Sequence, residues 1–210
     1  NRPEVFNSFN REMALSLQCI LDDCQVNPEV RAIVLTGSGK AFCAGQDLKE
    51  VTSPDLNPGF KKILDEHYNP IISRIRNIEK PILAAVNGVA AGAGANIALA
   101  CDIVVAHEKV SFIQAFSLIG LIPDSAGTYF LPRLIGFQKA LALAMLGDKI
   151  GAKEAEKLGM IYRCVSTEEF EETVNKLAVK LVNMPTNALG MIKELFNKSM
   201  NNSLEEQLAM

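Results

Sequence analysis

The chain is 210 residues long, 49% hydrophobic and 21% charged, enough for one sizeable core and too little for two ordinary domains. Its formal charge of -3 leaves no basic stripe, so nucleic acid is excluded as the expected partner. No apolar run reaches the roughly 18 to 20 residues that span a bilayer, and the first residues carry no signal-peptide pattern. The expectation is a soluble protein of the cytoplasm or of an organelle matrix.

In chain order, residues 8 to 24 carry Met13, Leu17, Ile20 and Leu21 at helical spacing, and Ala32 to Gly37 (AIVLTG) then reads as a buried strand ended by a glycine turn. GSGKAFCAGQDL follows as a loop. A second helix covers much of Pro58 to Ile78, and ILAAV (Ile82 to Val86) is a second buried strand. GAGANIALAC turns into a short helix, DIVVA (Asp102 to Ala106) is a third strand and VSFI (Val110 to Ile113) a fourth. Beyond Asp124 the pattern is helical over about 126 to 134, 137 to 146, 152 to 158, 168 to 183 and 186 to 200, with YRCV (Tyr162 to Val165) as a late strand. Strands alternating with helices predict an α/β fold. The five cysteines, Cys19, Cys24, Cys43, Cys101 and Cys164, are odd in number and form no CxxC pair, which suits reduced thiols better than disulfides or zinc ligands.

Two glycine-rich stretches invite a phosphate-binding reading, and both fail it. Gly37-Ser-Gly39-Lys40 lacks the upstream glycine of a P-loop and is followed by Ala41; Gly92-Ala-Gly94-Ala-Asn96-Ile97 lacks the third glycine of a dinucleotide fingerprint. What remains is two strand-to-loop turns, Gly37 to Asp47 and Gly88 to Asn96, small enough to bring backbone N–H groups close to a ligand. Two such donors on one carbonyl oxygen make an oxyanion hole, each worth about 3 to 4 kcal/mol when charge develops there. The plainer alternative is that these glycines only make turns and let helix pack on strand.

KAFCAGQDLKE (Lys40 to Glu50), KPILAAVNGVAAGAGANIALACDIVVA (Lys80 to Ala106) and FSLIGLIPDSAGTYFLPRLIG (Phe116 to Gly136) resemble the three signature blocks of the crotonase, or enoyl-CoA hydratase/isomerase, superfamily. Within it, AGQDL, AAGAGAN, SFIQAFS and IPDSAGT are most similar to the epoxide-opening acyl-CoA isomerases of phenylacetate degradation. The resemblance implies a spiral of ββα turns over residues 1–184 and the start of a helical oligomerisation region over 185–210, with the family's N-terminal strands and the rest of its tail expected to lie outside this sequence. It also implies a homo-trimer or hexamer, and an acyl-CoA substrate with no separate cofactor and no metal.

Carried over by position, the resemblance assigns the two oxyanion N–H donors to Gln46 and Ala93 and the CoA-binding turn to Ala44, Gln46, Asp47 and Leu48. Lys49 is then a partner for CoA phosphate, or else a solvated surface lysine. Hydratases of the family hold two glutamates in the pocket, and those positions are Asn96 and Phe116 here. Water addition calls for a pair of carboxylates; moving a double bond calls for one base that removes a proton and returns it.

Asp124 falls where isomerase-type and dehalogenase-type members hold an aspartate, among Ile119, Leu121, Ile122 and Pro123, which would desolvate it and raise its pKa. The competing expectation is that Asp124 caps the helix entered at Ser125 and Ala126, and the two roles are compatible. Asn96 is expected to bond the thioester or an epoxide oxygen, or only backbone at the helix start, and Phe116 and Phe130 are candidates to line the acyl pocket. His67 and Tyr68 lie on a predicted helix ahead of the second block and are candidates to reach the pocket, although a lone His on a helix is more often structural, and His107 reads as a surface turn.

Three functions stand side by side: an acyl-CoA isomerase with Asp124 as base, acting on a 3-enoyl-CoA or a ring-epoxidised phenylacetyl-CoA; a hydratase of short or dicarboxylic enoyl-CoAs; and a non-catalytic acyl-CoA-binding scaffold. Loss of both glutamates counts against the second, and the retained aspartate against the third. A dehalogenase-like route with Asp124 as nucleophile is weaker still, because the chain has no Trp.

Overall fold

A computed structural model describes residues Asn1–Met210. Helix α1 (Arg11–Val26) leads into strands β1 (Ile33–Thr36) and β2 (Ala41–Cys43), then helices α2 (Leu48–Thr52), α3 (Phe60–Ile63) and α4 (Asn69–Asn77). Between α3 and α4 the backbone makes one π-helical turn, Leu64–Tyr68. Strands β3 (Ile82–Val86) and β4 (Val89–Ala91) precede α5 (Ala93–Ala100); β5 (Ile103–His107) and β6 (Ser111–Ile113) precede α6 (Gly127–Ile135) and α7 (Phe137–Leu146). The chain finishes with β7 (Lys149–Gly151), α8 (Ala152–Lys157), β8 (Arg163–Val165), α9 (Phe170–Val182), α10 (Thr186–Ser199) and α11 (Leu204–Leu208).

The strands form two sheets ordered β1-β3-β5-β8 and β2-β4-β6-β7, all pairs parallel except β6 with β7. The chain therefore visits the first sheet, steps to the second, runs through helix and returns, three times over: a spiral of ββα turns. Strand β3 was readable because a strand covered on both faces leaves a continuous apolar run, ILAAV, with every residue buried; β1, expected as a buried strand, is instead an edge strand with Val34 and Thr36 exposed, because it pairs only with β3. The second-sheet strands β2, β4 and β7 have 3 residues each, too few for any periodicity, and the segment holding β2 reads as loop in the sequence.

Helix α5 passes through the middle of the molecule with all its residues buried. Its Ala- and Gly-rich composition is what lets it run so close to both sheets. Helix α10 packs back on α4, where Asn197 Nδ2 donates to the Arg76 carbonyl at 3.0 Å, and its Lys193 ammonium donates at 2.8 Å to Asp102, just ahead of β5. His107, expected in a surface turn, ends β5 with Nε2 2.8 Å from the Asn87 carbonyl and its ring edge-on to Phe170. All five cysteines are free; burial pushes the Cys43 and Cys101 thiols up to about 12. No helix is long and apolar enough to cross a membrane.

Candidate active site

A cavity of about 430 Å³ opens between the loop after β2, the π-helical turn, the N-terminus of α5 and the segment from Ala115 to Asp124. Its wall is mostly apolar, with Leu48, Phe60, Ile63, Leu64, Phe116, Ile119, Leu121 and Ile122 contributing, and the only acidic side chain on it is Asp124.

Two backbone donors meet at one side. Phe9 N–H donates to the Gly45 carbonyl at 2.7 Å and the Phe9 carbonyl accepts from Asp47 N–H at 2.8 Å. Alternate groups of an extended segment point opposite ways, so the Gln46 N–H between them faces away from Phe9, on the cavity side. Ala93 is the first residue of α5, where a helix leaves its amide without an internal acceptor and adds the positive end of its dipole. The two loops touch: a Cβ placed on Gly45 would stand 3.6 Å from the Ala93 nitrogen.

Asp124 stands on the same cavity. Burial pushes its carboxyl up to about 6, against the opposing pull of the Ser125 hydroxyl, which donates to Oδ1 at 2.9 Å. Its side chain is not a helix cap: α6 starts at Gly127 with Ala126 as N-cap and no side-chain bond, and it is the Asp124 backbone carbonyl that accepts from Gly127 N–H at 2.8 Å. Ser125 and Ala126 hold φ of +49° and +58°, and this left-handed pair turns the chain into α6 and leaves the carboxylate facing the cavity.

Of the other sequence candidates, Ala44, Leu48 and Phe116 lie on the wall. Asp47 lies outside it: its carboxylate caps α2 through Lys49 N–H at 2.9 Å and pairs with Arg2 at 2.7 Å. Lys49 is exposed on α2 with its ammonium in no ion pair. Phe130 is a correction. It sits in the core under the Arg76 guanidinium, 5.4 Å from ring centre to Cζ, because the α6 face that carries it turns inward. Asn96 is buried behind Asp124 and off the wall, its Nδ2 donating to the Asp124 carbonyl at 2.9 Å.

Of His67 and Tyr68, it is Tyr68 that reaches the wall; the two lie in the π-helical turn, whose shifted register periodicity does not show. The Tyr68 hydroxyl donates to Gln46 Oε1 at 2.8 Å, and Gln46 Nε2 donates to Glu50 Oε2 at 2.6 Å. Burial holds the Tyr68 phenol well above its usual range, so it stays neutral. His67 is fully buried with no partner on either ring nitrogen, and burial lowers its pKa. Gln114, to which the sequence reading gave no role, donates from Nε2 to Asn96 Oδ1 at 2.8 Å. No group of three or more His, Cys, Asp or Glu converges as a metal site needs.

An apolar cavity with unengaged amides at one end and a single desolvated carboxylate suits proton transfer beside a polarised carbonyl. The sequence profile of the enoyl-CoA hydratase/isomerase family matches residues 1–210. The chain is 43% identical over 210 residues to the 1,2-epoxyphenylacetyl-CoA isomerase of Escherichia coli (strain K12), covering 99% of this chain and 80% of that protein. It is 44% identical over 210 residues to a Rhodobacter capsulatus protein called a probable enoyl-CoA hydratase, covering 100% and 80%. A crystal structure of an enoyl-CoA hydratase from Polaromonas sp. JS666 matches with a TM-score of 0.91 at 34% identity, over 100% of this chain and 82% of the other. The chain belongs to the enoyl-CoA hydratase/isomerase family, with the crotonase fold.

Proposed function

We propose that this enzyme is an acyl-CoA isomerase that uses Asp124 as its single base and the Gln46 and Ala93 amides as its oxyanion hole. The observation that carries the reading is that Asp124 is the only acidic side chain on the cavity wall. With a 3-enoyl-CoA, the Asp124 carboxylate takes a C2 proton and the freed electron pair moves onto the thioester oxygen, where the two amides stabilise it. The Asp124 carboxylic acid then returns the proton at C4, and the double bond ends between C2 and C3. Its pKa near 6 suits both halves of that exchange.

The likeness to an epoxyphenylacetyl-CoA isomerase supports an aromatic substrate for the same chemistry. An arene oxide and its oxepin interconvert by movement of ring electrons alone. In the oxepin a ring double bond lies β,γ to the thioester, so the same one-base shift brings it into conjugation. Coenzyme A enters as part of the substrate, and the chemistry calls for no other cofactor. Leu118, Phe137, Met145 and Leu146, large and exposed, support assembly into a homo-trimer or hexamer.

The test is a side-by-side assay of the wild type and Asp124→Asn with a 3-enoyl-CoA, a ring-epoxidised phenylacetyl-CoA and a 2-enoyl-CoA. Isomerisation of either of the first two, lost in the variant, is the expected result. Strong water addition to the 2-enoyl-CoA that survives in the variant would replace this reading with the hydratase one.

A further inference from the structure

We propose that Asn96 is a positioning residue that ties the turn bearing the base to the helix bearing an oxyanion donor, with Gln114 setting the direction of its amide. The inference rests on the reading of Asp124 as the base and concerns how that base is held. Asn96 lies one helical turn after Ala93 on α5, and Asp124 lies in the loop ahead of α6. The Asp124 carbonyl accepts two hydrogen bonds, one from Gly127 N–H within its own turn at 2.8 Å and one from Asn96 Nδ2 at 2.9 Å. The second is the one that comes from another element, so it fixes the turn relative to α5.

The turn needs such a hold. Ser125 and Ala126 both occupy the left-handed region, which non-glycine residues keep only where the surroundings over-determine it. Gly127 closes the other side: a Cβ there would come within 2.3 Å of Asn96 Nδ2, so the amide and the start of α6 are in direct contact. Asn96, 1% exposed, has no room to swing aside.

An amide has a donor end and an acceptor end, and which faces Asp124 decides whether the contact attracts or repels. Gln114 Nε2 donates to Asn96 Oδ1 at 2.8 Å, which turns Nδ2 toward the Asp124 carbonyl. In this direction Gln114 Oε1 is left buried without a partner. A flipped Gln114 would offer its oxygen to Asn96 instead, flip that amide in turn and set Asn96 Oδ1 against the Asp124 carbonyl. The orphaned oxygen is thus the consequence of a one-way chain of donors that ends at the base. Tyr68 is the other titratable side chain on the wall of the Asp124 cavity, and Asp148, itself exposed, lines the small cavity beside Gln114.

The experiment compares Asn96→Leu, Gln114→Met and Asp124→Asn with the wild type, reading kcat, KM, the acid limb of the pH profile and thermal midpoint. Asn96→Leu keeps the shape of the side chain and removes both bonds. Its kcat is expected to fall about a hundredfold, the scale of a misplaced catalytic group, with KM within about threefold. As the loosened carboxylate gains solvent, the acid limb moves down toward the ordinary carboxylate range. Gln114→Met leaves Asn96 in place, so it still reports if Asn96→Leu does not fold; a loss of about tenfold with the same shift of the limb is expected. An Asn96→Leu enzyme with unchanged kcat and acid limb, beside an inactive Asp124→Asn, would overturn the tether alone. An active Asp124→Asn would remove the base reading and the tether with it.

Discussion

Gly94 and Cys43 are in such close contact that a Cβ on Gly94 would lie 2.3 Å from the Cys43 carbonyl oxygen. Cys43 ends β2 just ahead of Gln46, and Gly94 follows Ala93, so this contact sets the spacing of the two amide donors. Gly94→Ala adds one carbon where backbone blocks it, and overpacking of this kind costs about 1 to 3 kcal/mol. Prying the loops apart removes one donor from the oxyanion, worth about 10² to 10³ in kcat. Chemical denaturation and kcat measured on the one variant check both, and a variant that keeps kcat would show that the two amides do not work as a pair.

Asp124 gives opposite pH signatures in activity and in stability. Its folded pKa of about 6 lies above the ordinary 3.8, so the folded chain holds that proton more tightly than the unfolded one. The ionised carboxylate is therefore a cost to the fold at pH 7 that disappears as pH falls through 6 toward 4. Asp124→Asn should be more stable than the wild type at neutral pH, by up to about 3 kcal/mol for a shift of roughly two pKa units, and the gain should vanish near pH 4. Activity runs the other way: the base works ionised, so wild-type kcat/KM should drop tenfold per pH unit below about 6. Urea denaturation of both proteins across this range, with the wild-type pH profile, reads both signs.

Tyr68 is tied to the loop after β2 by its hydrogen bond to Gln46. Tyr68→Phe leaves Gln46 Oε1 without its donor while Gln46 Nε2 keeps Glu50. The expected cost is about 1 kcal/mol of stability and roughly a tenfold loss in kcat/KM as the donor loop loosens. Because the phenol is neutral throughout, the acid limb set by Asp124 should not move. A variant in which that limb moves would mean that Tyr68 acts on the base directly.

Much of the spiral was legible because burial writes itself into composition. ILAAV and the middle of DIVVA read as strands since parallel strands covered on both faces have no polar positions, whereas AIVLT, at the sheet edge, reads as one by its β-branched apolar residues alone. The helices after Asp124 were legible for the complementary reason, that each keeps one wet face. The short strands β2, β4 and β7 were not, because three residues carry no period, and so the repeat itself, present in topology, was invisible as sequence. In the site, Gln46, Ala93, Phe116 and Asp124 were named from the signature blocks and meet on one cavity. Phe130 was misplaced because an aromatic residue looks the same in a sequence whether its helix turns it inward to a core or outward to a cavity.

What the sequence determined by itself is the inventory: one acid in an apolar stretch, two glycine-rich turns, and Asn96 and Phe116 where a pair of glutamates would otherwise stand. Only the tertiary structure decided what the inventory does. It buries Asp124 on a cavity that Leu121 and Pro123 share, brings Tyr68 to Gln46 through a shifted helical register, and turns Asn96 off the cavity wall, where its amide donates to the Asp124 carbonyl. A residue type fixes which protons and hydrogen bonds are on offer; which of them meet depends on contacts between segments far apart in the chain, and no local pattern encodes those.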